Sequence, residues 1–474
     1  MTANGPTPQL ALWLSALLAA TTLSMVVATT LLSWEQLLVA LPAMTILAIY
    51  AGFCLVLFHR LKRPVFGELG FVFLGFATAY SVIPALNFLI LDFKFPIDFD
   101  GLNFAVLEPK PSELSLHLWR HTLLIATVAT GYILARGRSD FSMQPGTFRA
   151  GIPLLASVGV ILASVGLISA LSAPVTNYYE HYTRFNDLSE PLRYAAYAGL
   201  LLKATCYYLA LVLMFSRYQQ LKWWIAPFLL SLVAYEMIYS FGSRIESLSI
   251  LLAAVCLYHF YVKPIRLARG FSYFFLLLVF FTITELFRAS EFNIDAALNE
   301  FAQRGVKFAY EFGSVFYTSF HIYHERLLGT IPTADWLMLV NDFFTAIPFY
   351  DHVQYNSQYW YAGIYFPDAV VPPQTMGPLA DSGIWGGEAD LALRGLLTGA
   401  AYGGVARWAL RAGAKWHHML IYTFLFATAV IGLKYSVVYQ LSQMARIFLP
   451  VFVFVGILHL LKTASASSAA RNTP

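Results

Sequence analysis

Apolar runs close to 20 residues long recur along this chain, for example through 35–58, 151–172 and 194–216. Charged residues make up only 12% of the 474 residues, about half of the roughly 25% that is usual in soluble domains. A run of this length is what a helix needs to cross the hydrocarbon core of a bilayer, where every backbone polar group has to be satisfied within the helix. The sequence therefore predicts an all-α polytopic membrane protein.

We predict about 12 membrane spans of this length. Their limits are 8–30, 35–58, 66–91, 117–135, 151–172, 194–216, 223–241, 245–262, 270–288, 388–408, 417–436 and 445–462. The span 388–408 differs from the others in being rich in glycine and polar residues. No Lys or Arg precedes the first apolar run, which is longer than the apolar core of a signal peptide, so we expect it to be an uncleaved span.

Basic residues cluster after every second predicted span, beginning with the second. The clusters are His59–Arg63, Arg136 with Arg138 and Arg149, Arg217 with Lys222, Lys263–Arg269, and Arg407–Lys415. Because loops rich in Lys and Arg remain on the cytoplasmic side, this alternation predicts that both termini are cytoplasmic. The chain then divides into 1–288 with spans 1–9, a large outer loop at 289–387, and 388–474 with spans 10–12 and a cytoplasmic tail.

Several kinds of function are disfavoured by what the sequence lacks. There is no block of five or six like charges, so no nucleic-acid-binding tail is predicted. The three cysteines, Cys54, Cys206 and Cys256, all lie inside predicted spans, which argues against a disulfide framework or a thiolate metal site. The pair His321 and His324 has helical spacing but no evident third ligand, so we predict no metal site there.

Ionisable side chains lie in or near the outer half of several predicted spans, where they are costly and usually functional. The cations are Lys203, Arg244, Arg288, Arg394, Lys434 and Arg446, and the acids are Glu236, Glu246, Glu285, Glu388 and Asp390. Each could be a structural ion pair or a snorkelling side chain. Taken together, the cations favour binding of an anion in the outer leaflet, and a lipid-linked pyrophosphate fits because Arg binds phosphate oxygens bidentately.

Aromatic residues accompany polar residues in the predicted outer loops, notably in the stretches 177–187 and 350–365, the second of which contains Trp360. Flat apolar faces beside carboxylates and amides are a common way to hold sugars. The alternative is that these rings form the interfacial belt or pack within the loops. We therefore take Trp360 as a candidate glycan contact.

Two short motifs resemble those of a known family. Gly242-Ser243-Arg244 forms the predicted outward turn of a hairpin that is followed by an apolar span and a basic cytoplasmic loop. The block 376–404, MGPLADSGIWGGEADLALRGLLTGAAYGG, closes the large outer loop with small residues and acids and continues into a glycine-rich span. Both motifs, and the number and orientation of the spans, are similar to the Wzy-type polymerases, which join repeat units of O-antigen and exopolysaccharide.

This resemblance implies a glycosyltransferase with a GT-C-like architecture in the bacterial inner membrane, with its active site facing the periplasm. It implies undecaprenyl-pyrophosphate-linked glycans as donor and acceptor, no cofactor, and a flippase and a chain-length regulator as partners. Outer-loop arginines are the residues most often considered functional in the family. Arg244 occupies the G-S-R position and Arg288 matches more loosely. Arg184 and Arg193 lie in an outer loop without the family's usual arginine-to-glycine spacing.

The transfer requires cations for the departing pyrophosphate and a base for the acceptor hydroxyl. Arg244, Arg288 and Arg394 are expected to face the pyrophosphate, while Glu246, His352, Asp381 and Glu388 remain alternatives for the base. The candidate catalytic residues are thus Arg244, Glu246, Arg288, His352, Asp381 and Glu388, and the candidate substrate-binding residues are Arg184, Arg193, Lys203, Trp360, Arg394, Lys434 and Arg446. No metal is predicted.

Two rival functions have the same general appearance. An O-antigen ligase shares the architecture and the donor but transfers the glycan to lipid A core. A transporter of polysaccharide or lipid-linked sugar would also span the membrane many times. Transporters often contain inverted repeats, and no internal repeat is visible in this sequence.

Overall fold

The computed structural model describes most of the chain. The described residues are 8–62, 64–90, 110–137, 151–172, 184–185, 187–239, 244–266, 269–270, 272–273, 276, 279, 295, 310–331, 334–344, 357–365, 376–411, 416–435, 444–445 and 448–449. Each regular element among them is a helix. The expectation of an all-helical architecture is therefore confirmed for the described residues, and it is compatible with a helical membrane protein.

The helices are α1 Pro8–Leu31, α2 Trp34–Leu61, α3 Leu69–Ile90, α4 Pro111–Arg136, α5 Gly151–Leu171, α6 Glu190–Ser216, α7 Tyr218–Tyr239, α8 Arg244–Tyr261, α9 Tyr310–Leu328, α10 Trp336–Phe344, α11 Ser357–Tyr365, α12 Pro378–Ile384, α13 Gly387–Ala409, α14 Trp416–Ala427 and α15 Ile431–Lys434. A short 3₁₀ turn, Val65–Gly67, precedes α3. By length and composition, four described helical segments can cross a membrane: Trp34–Leu61, Leu69–Leu89, Pro153–Leu171 and Glu190–Ser216. Ser15–Val26 and Glu246–Tyr261 are shorter apolar helical segments.

Local signals set several helix ends. Ser33 caps α2 with a reciprocal pair of hydrogen bonds to Gln36, which separates α2 from α1. Pro111 occupies the first turn of α4, where a missing N–H costs nothing, and Gly137 ends that helix with a positive φ of 62°. Gly387 begins α13 with a φ of 64°, a conformation that favours glycine.

Among the described helices, the most extensive contact is between α4 and α13, which run parallel. Three glycines one turn apart on α13, Gly395, Gly399 and Gly403, allow the backbones to approach closely. A Cβ added at Gly399 would overlap with the carbonyl oxygen of Val128. The nearest α4 neighbours are Leu124 and Thr127 for the first glycine, Val128 and Tyr132 for the second, and Tyr132, Ala135 and Arg136 for the third.

At the end of the bundle where α4 and α13 finish, a buried ion pair joins three elements. The Arg136 Nε and Nη2 atoms donate to the two carboxylate oxygens of Glu68 at 2.8 and 3.1 Å. The Tyr132 hydroxyl donates to the same carboxylate at 2.6 Å. One residue before Glu68, the carbonyl oxygen of Gly67 accepts a hydrogen bond from Tyr422 of α14 at 2.6 Å. This network fixes α4 and α14 against the turn that leads into α3.

Most of the predicted spans that the structure describes coincide with helices, but one differs from the expectation. The predicted span 417–436 is not one continuous helix, because α14 ends at Ala427 and a turn separates it from α15. Backbone N–H groups there bond three residues back, as from Ile431 to Thr428, which breaks the α-helical ladder. The spans 270–288 and 445–462 lie almost entirely outside the described residues.

Candidate active site

The candidate active site is built around the segment that contains α12 and the start of α13, which we call the 377–390 turn. Pro378 opens α12 at its first position, and six successive residues, 378–383, are buried. Gly377 lies so close to α15 that an added Cβ would overlap with the carbonyl oxygen of Leu433. The turn is therefore packed into the protein, and it presents its polar groups to neighbouring helices.

Three arginines from three different helices converge on this turn. Arg120 of α4 donates through Nη2 to the Ser382 hydroxyl at 2.8 Å and to the carbonyl oxygen of Leu379 at 3.2 Å. Arg326 of α9 donates to the carbonyl oxygen of Gly383 at 2.7 Å. The third is Arg394 of α13. Because these guanidinium groups remain charged at any ordinary pH, they place a concentrated positive charge around a short stretch of backbone.

Arg120 combines deep burial with incomplete hydrogen bonding. It is 2% exposed, and among the described residues its Nε and Nη1 atoms have no hydrogen-bond partner. Its guanidinium lies 4.4 Å from the centre of the Tyr323 ring, and its Nε is 3.5 Å from a carboxyl oxygen of Glu388. Buried polar groups are nearly always satisfied, so Nη1, which has neither a hydrogen bond nor an ion pair among the described residues, marks a group able to bind an anionic oxygen.

Arg394 links two acids of the same region. Its Nε donates to Asp390 at 2.7 Å, because residues four apart on a helix share one face. Its Nη1 donates to Asp381 Oδ2 at 3.2 Å. Asp381 is 2% exposed, and its other oxygen has no hydrogen-bond partner among the described residues. Glu388, in contrast, has a side chain that is 59% exposed.

Burial shifts the two enclosed carboxyl groups in the same direction. It raises the pKa of Asp381 to about 8, while Arg394 opposes the shift and Asp342 and Asp390 add to it. Burial also raises the pKa of Asp342 of α10 to about 6, although its hydrogen bonds from the backbone and hydroxyl of Ser357 lower it. At neutral pH Asp381 therefore holds its proton and acts as a hydrogen-bond donor rather than as a base.

Aromatic and imidazole side chains lie beside the turn. Trp360 and Tyr361 of α11 belong to one apolar cluster with Ala380 of α12, and Trp385 packs against that cluster. Trp360 is 7% exposed, so its ring is part of this packing and does not present a flat face for a sugar. The hydroxyl of Tyr361 is 2.8 Å from Nδ1 of His321 on α9.

Lys203 lies in a second polar cluster and not at the 377–390 turn. Its ammonium is 2.7 Å from a carboxyl oxygen of Glu236, and both side chains are buried between α6 and α7. Tyr207 and Tyr235 flank the ammonium with ring centres at 5.6 and 4.8 Å. Two of the ionisable residues predicted from the sequence thus neutralise each other, as expected of charges inside a membrane protein.

Of the remaining candidates, Lys434 has its backbone beside Gly377 at the start of the turn, and its buried ammonium is 6.0 Å from the centre of the Tyr80 ring. The others are dispersed. Arg184 is buried, with its guanidinium 4.9 Å from the centre of the Phe185 ring. Arg193 is half-buried in the first turns of α6, and Glu246 is exposed near the start of α8. Arg244 is the first residue of α8, but its side chain lies outside the described residues, as do Arg288, His352 and Arg446 entirely.

Sequence reasoning missed Arg120, Arg326 and Asp342. Arg120 lies inside the predicted span 117–135, so the rule that selected the other charged residues also applies to it. Its neighbours His117 and His121 are buried as well and bond to each other through their Nε2 atoms at 3.1 Å. A cation between two histidines in an otherwise apolar run was the available signal.

No protein-family model, no curated protein and no solved structure matches this chain. The resemblance to Wzy-type polymerases therefore rests on the two short motifs and on the pattern of predicted spans. Within the described residues, no three His, Cys, Asp or Glu side chains lie together as a metal site. Among the described residues, the geometry itself offers an arginine-rich turn with the exposed Glu388, the partly exposed Asp390 and the buried Asp381, and with the buried Asp342 nearby.

Proposed function

We propose that this chain is a glycosyltransferase of the bacterial inner membrane that joins undecaprenyl-pyrophosphate-linked repeat units into O-antigen or exopolysaccharide. One observation carries the proposal, namely the convergence of Arg120, Arg326 and Arg394 on the 377–390 turn. A pyrophosphate leaving group is the kind of ligand that several fixed arginines recognise. The proposal includes about 12 spans, a GT-C-like arrangement, cytoplasmic termini and a site open to the periplasm.

In the proposed reaction, a sugar hydroxyl of the acceptor attacks the anomeric carbon of the donor glycan. The bond between that carbon and the pyrophosphate oxygen breaks, and negative charge develops on the departing pyrophosphate. Arg120 offers Nη1, which has no hydrogen-bond partner among the described residues, to this charge, and Arg326 and Arg394 add to the positive potential. These cations are already held by the backbone or by acids, so little reorganisation is needed when the charge appears.

The carboxyl groups of the site then have different roles. Asp381, protonated near neutral pH, suits donation of a hydrogen bond to a phosphate oxygen or a sugar hydroxyl. Glu388 is exposed beside Arg120 and is positioned to contact the substrate. Arg244 remains part of the proposal through its G-S-R motif, as do Arg288 and His352 through their places in the predicted outer loop.

The test is chain extension by the purified protein in lipid nanodiscs, supplied with a lipid-linked repeat unit. The wild type is expected to produce a ladder of longer glycans on the same lipid. Arg120→Gln is expected to lower the rate about 100-fold to 1,000-fold, the usual effect of removing one preorganised charge-stabilising donor. Arg407→Gln is the matched control, because Arg407 lies near the opposite end of α13, close to Gly137.

Two results would overturn the proposal. One is a wild-type protein that makes no ladder from a competent substrate, and the other is a ladder that is unchanged in Arg120→Gln. Transfer of the glycan to added lipid A core, without extension, would instead identify a ligase. Apparent melting temperatures of both variants show whether loss of activity arises from misfolding.

A further inference from the structure

His321 lies between two groups that together orient its ring. Its Nδ1 atom is 2.8 Å from the hydroxyl oxygen of Tyr361, and its Nε2 atom is 4.0 Å from a carboxyl oxygen of Glu325 one helical turn further along α9. Glu325 is itself held, because the Thr330 hydroxyl donates to its other carboxyl oxygen at 2.6 Å. The result is a series of three groups: the Tyr361 phenol, the His321 imidazole and the Glu325 carboxyl group, which the Thr330 hydroxyl orients.

The exposed fraction of the side chains increases along this series from the phenol to the carboxyl group. Tyr361 is fully buried in the apolar cluster that includes Ala380, whereas the side chains of His321 and Glu325 are 14% and 21% exposed. The buried phenol therefore acts as an anchor on Nδ1, and Nε2 lies toward Glu325, the most exposed group of the series. A separation of 4.0 Å is too long for a direct hydrogen bond, so a substrate hydroxyl can approach both Nε2 and the carboxyl group.

The series lies beside the arginine-rich turn. His321 and Arg326 are five residues apart on α9, which is about 7.5 Å along the helix axis, and Arg326 bonds to Gly383. Tyr361 shares its cluster with Ala380, the residue before Asp381. The series and the turn thus share α9 and one apolar cluster, and the proposal has the acceptor sugar bind on the Glu325 side of His321.

Burial keeps the imidazole in its basic form. Burial lowers the pKa of His321 below 6.5, Glu325 raises it and His324 lowers it. Among the described residues, Tyr361 of α11 and, through His324, Glu113 of α4 are further titratable groups beside it. A neutral imidazole whose Nδ1–H donates to the Tyr361 oxygen carries its lone pair on Nε2, as a general base requires.

We propose that His321 is a catalytic residue of this transferase: it removes the proton of the acceptor hydroxyl, with Tyr361 as its positioning residue and Glu325 as the group that stabilises the imidazolium. This inference rests on the proposed function. The acceptor O–H proton moves to Nε2, the sugar oxygen forms the new bond to the anomeric carbon, and the pyrophosphate leaves with the electron pair of the broken bond. The imidazolium later releases its proton to solvent.

The test is the pH profile of chain extension in nanodiscs. The wild type should lose activity on the acid side as His321 takes up a proton. His321→Gln should lower kcat about 100-fold to 10,000-fold, the range usual for general-base catalysis, and it should remove that acid limb. Glu325→Gln should shift the limb to lower pH, because the carboxylate that raises the pKa of His321 is gone. Tyr361→Phe should lower kcat with little change in KM for the donor.

Two controls separate this role from a structural one. His324→Gln, on the same helix but paired with Glu113, should retain the acid limb. Asp342→Asn should also retain it, although Asp342 titrates near pH 6. If the wild type extends glycans and His321→Gln does so with the same kcat and the same profile, the assignment of His321 is wrong while the proposed function stands. If the wild type extends nothing, the proposed function itself fails.

Discussion

Arg120, which bonds to the 377–390 turn, and Asp381, which belongs to that turn, are both buried, and Arg120 Nη1 and Asp381 Oδ1 have no hydrogen-bond partner among the described residues. Their chemistry separates them. An arginine remains charged when it is buried, so its unpaired donors attract an anion. A buried carboxyl group takes up a proton instead, so Asp381 becomes neutral and the local charge becomes more positive. Both effects favour a phosphate ligand over a cation at this turn.

Replacing Asp381 with Asn is expected to flatten the pH dependence of stability between pH 6 and pH 8. The folded chain holds this proton up to a pKa of about 8, whereas the unfolded chain releases it near 3.8. The stabilising contribution is therefore complete below pH 3.8 and is lost as the pH rises through 8. Across that window the loss is at most about 1.4 kcal/mol per pH unit. Apparent melting temperatures between pH 5 and pH 9 provide the measurement.

Asp342→Asn is the comparison for this experiment, because the pKa of Asp342 is raised only to about 6. It should change the slope below pH 6 and leave the slope between pH 6 and pH 8 intact. If the stability of Asp381→Asn changed between pH 6 and pH 8 with the same slope as that of the wild type, Asp381 would have to be ionised in the folded protein.

At the scale of helices, α13 is defined by its contact with α4. Its glycines leave room where the two backbones meet. Its acids and Arg394 lie near the N-terminal end of α13, which joins the 377–390 turn. This explains why its sequence is less apolar than the other predicted spans: one face packs against protein and not against lipid. Small residues at such a seam allow close van der Waals packing, the main attraction between helices in a bilayer.

Gly399→Ala is expected to destabilise the protein by about 1–3 kcal/mol, the usual cost of forcing extra atoms into a packed interface. The added Cβ would overlap with the carbonyl oxygen of Val128 and push α13 away from α4. Gly404→Ala is the matched control, since no atom lies within 4 Å of a Cβ at that position. It should be neutral or stabilising by up to about 1 kcal/mol, because Ala favours a helix over Gly. Equal melting temperatures for the two variants would contradict the close packing of α13 against α4 at Gly399.

Which contacts could be predicted from the sequence depends on how far apart the two residues lie along the chain. Asp390 and Arg394 are four residues apart, so helical periodicity was enough to predict their ion pair. The contact between Arg120 and Ser382 joins residues 262 positions apart, and no local pattern indicates it. Trp360 was judged by its chemistry alone, but tertiary packing places it in an apolar cluster. The sequence could therefore predict helices and local pairs, but not which helices meet.

At the scale of the whole molecule, the two ends of the α4–α13 pair differ in character. One end carries the arginine-rich turn and the exposed Glu388. The other carries the closed network of Glu68, Arg136 and Tyr132. The positive-inside rule assigns the second end to the cytoplasm, since the basic clusters near Arg136 and Arg407 lie there.

Cysteine labelling tests this orientation on the two ends of one helix. In a variant without Cys54, Cys206 and Cys256, Glu388→Cys should react with a membrane-impermeant maleimide added from the periplasmic side. Arg411→Cys, just beyond the other end of α13 and also exposed, should react only after the cells are lysed. The reverse pattern would invert the proposed topology and place the arginine-rich turn in the cytoplasm.

The pairing of α4 with α13 also has a consequence for how the protein is made. Ser382, to which Arg120 donates, is synthesised 262 residues after Arg120. At a typical rate of about 5–20 residues per second, a ribosome needs on the order of tens of seconds to cover that distance. During that time, Arg120 and the face of α4 that packs against the glycines of α13 have not yet met the turn and α13. We therefore expect α4 to stay beside the insertion machinery until α13 emerges.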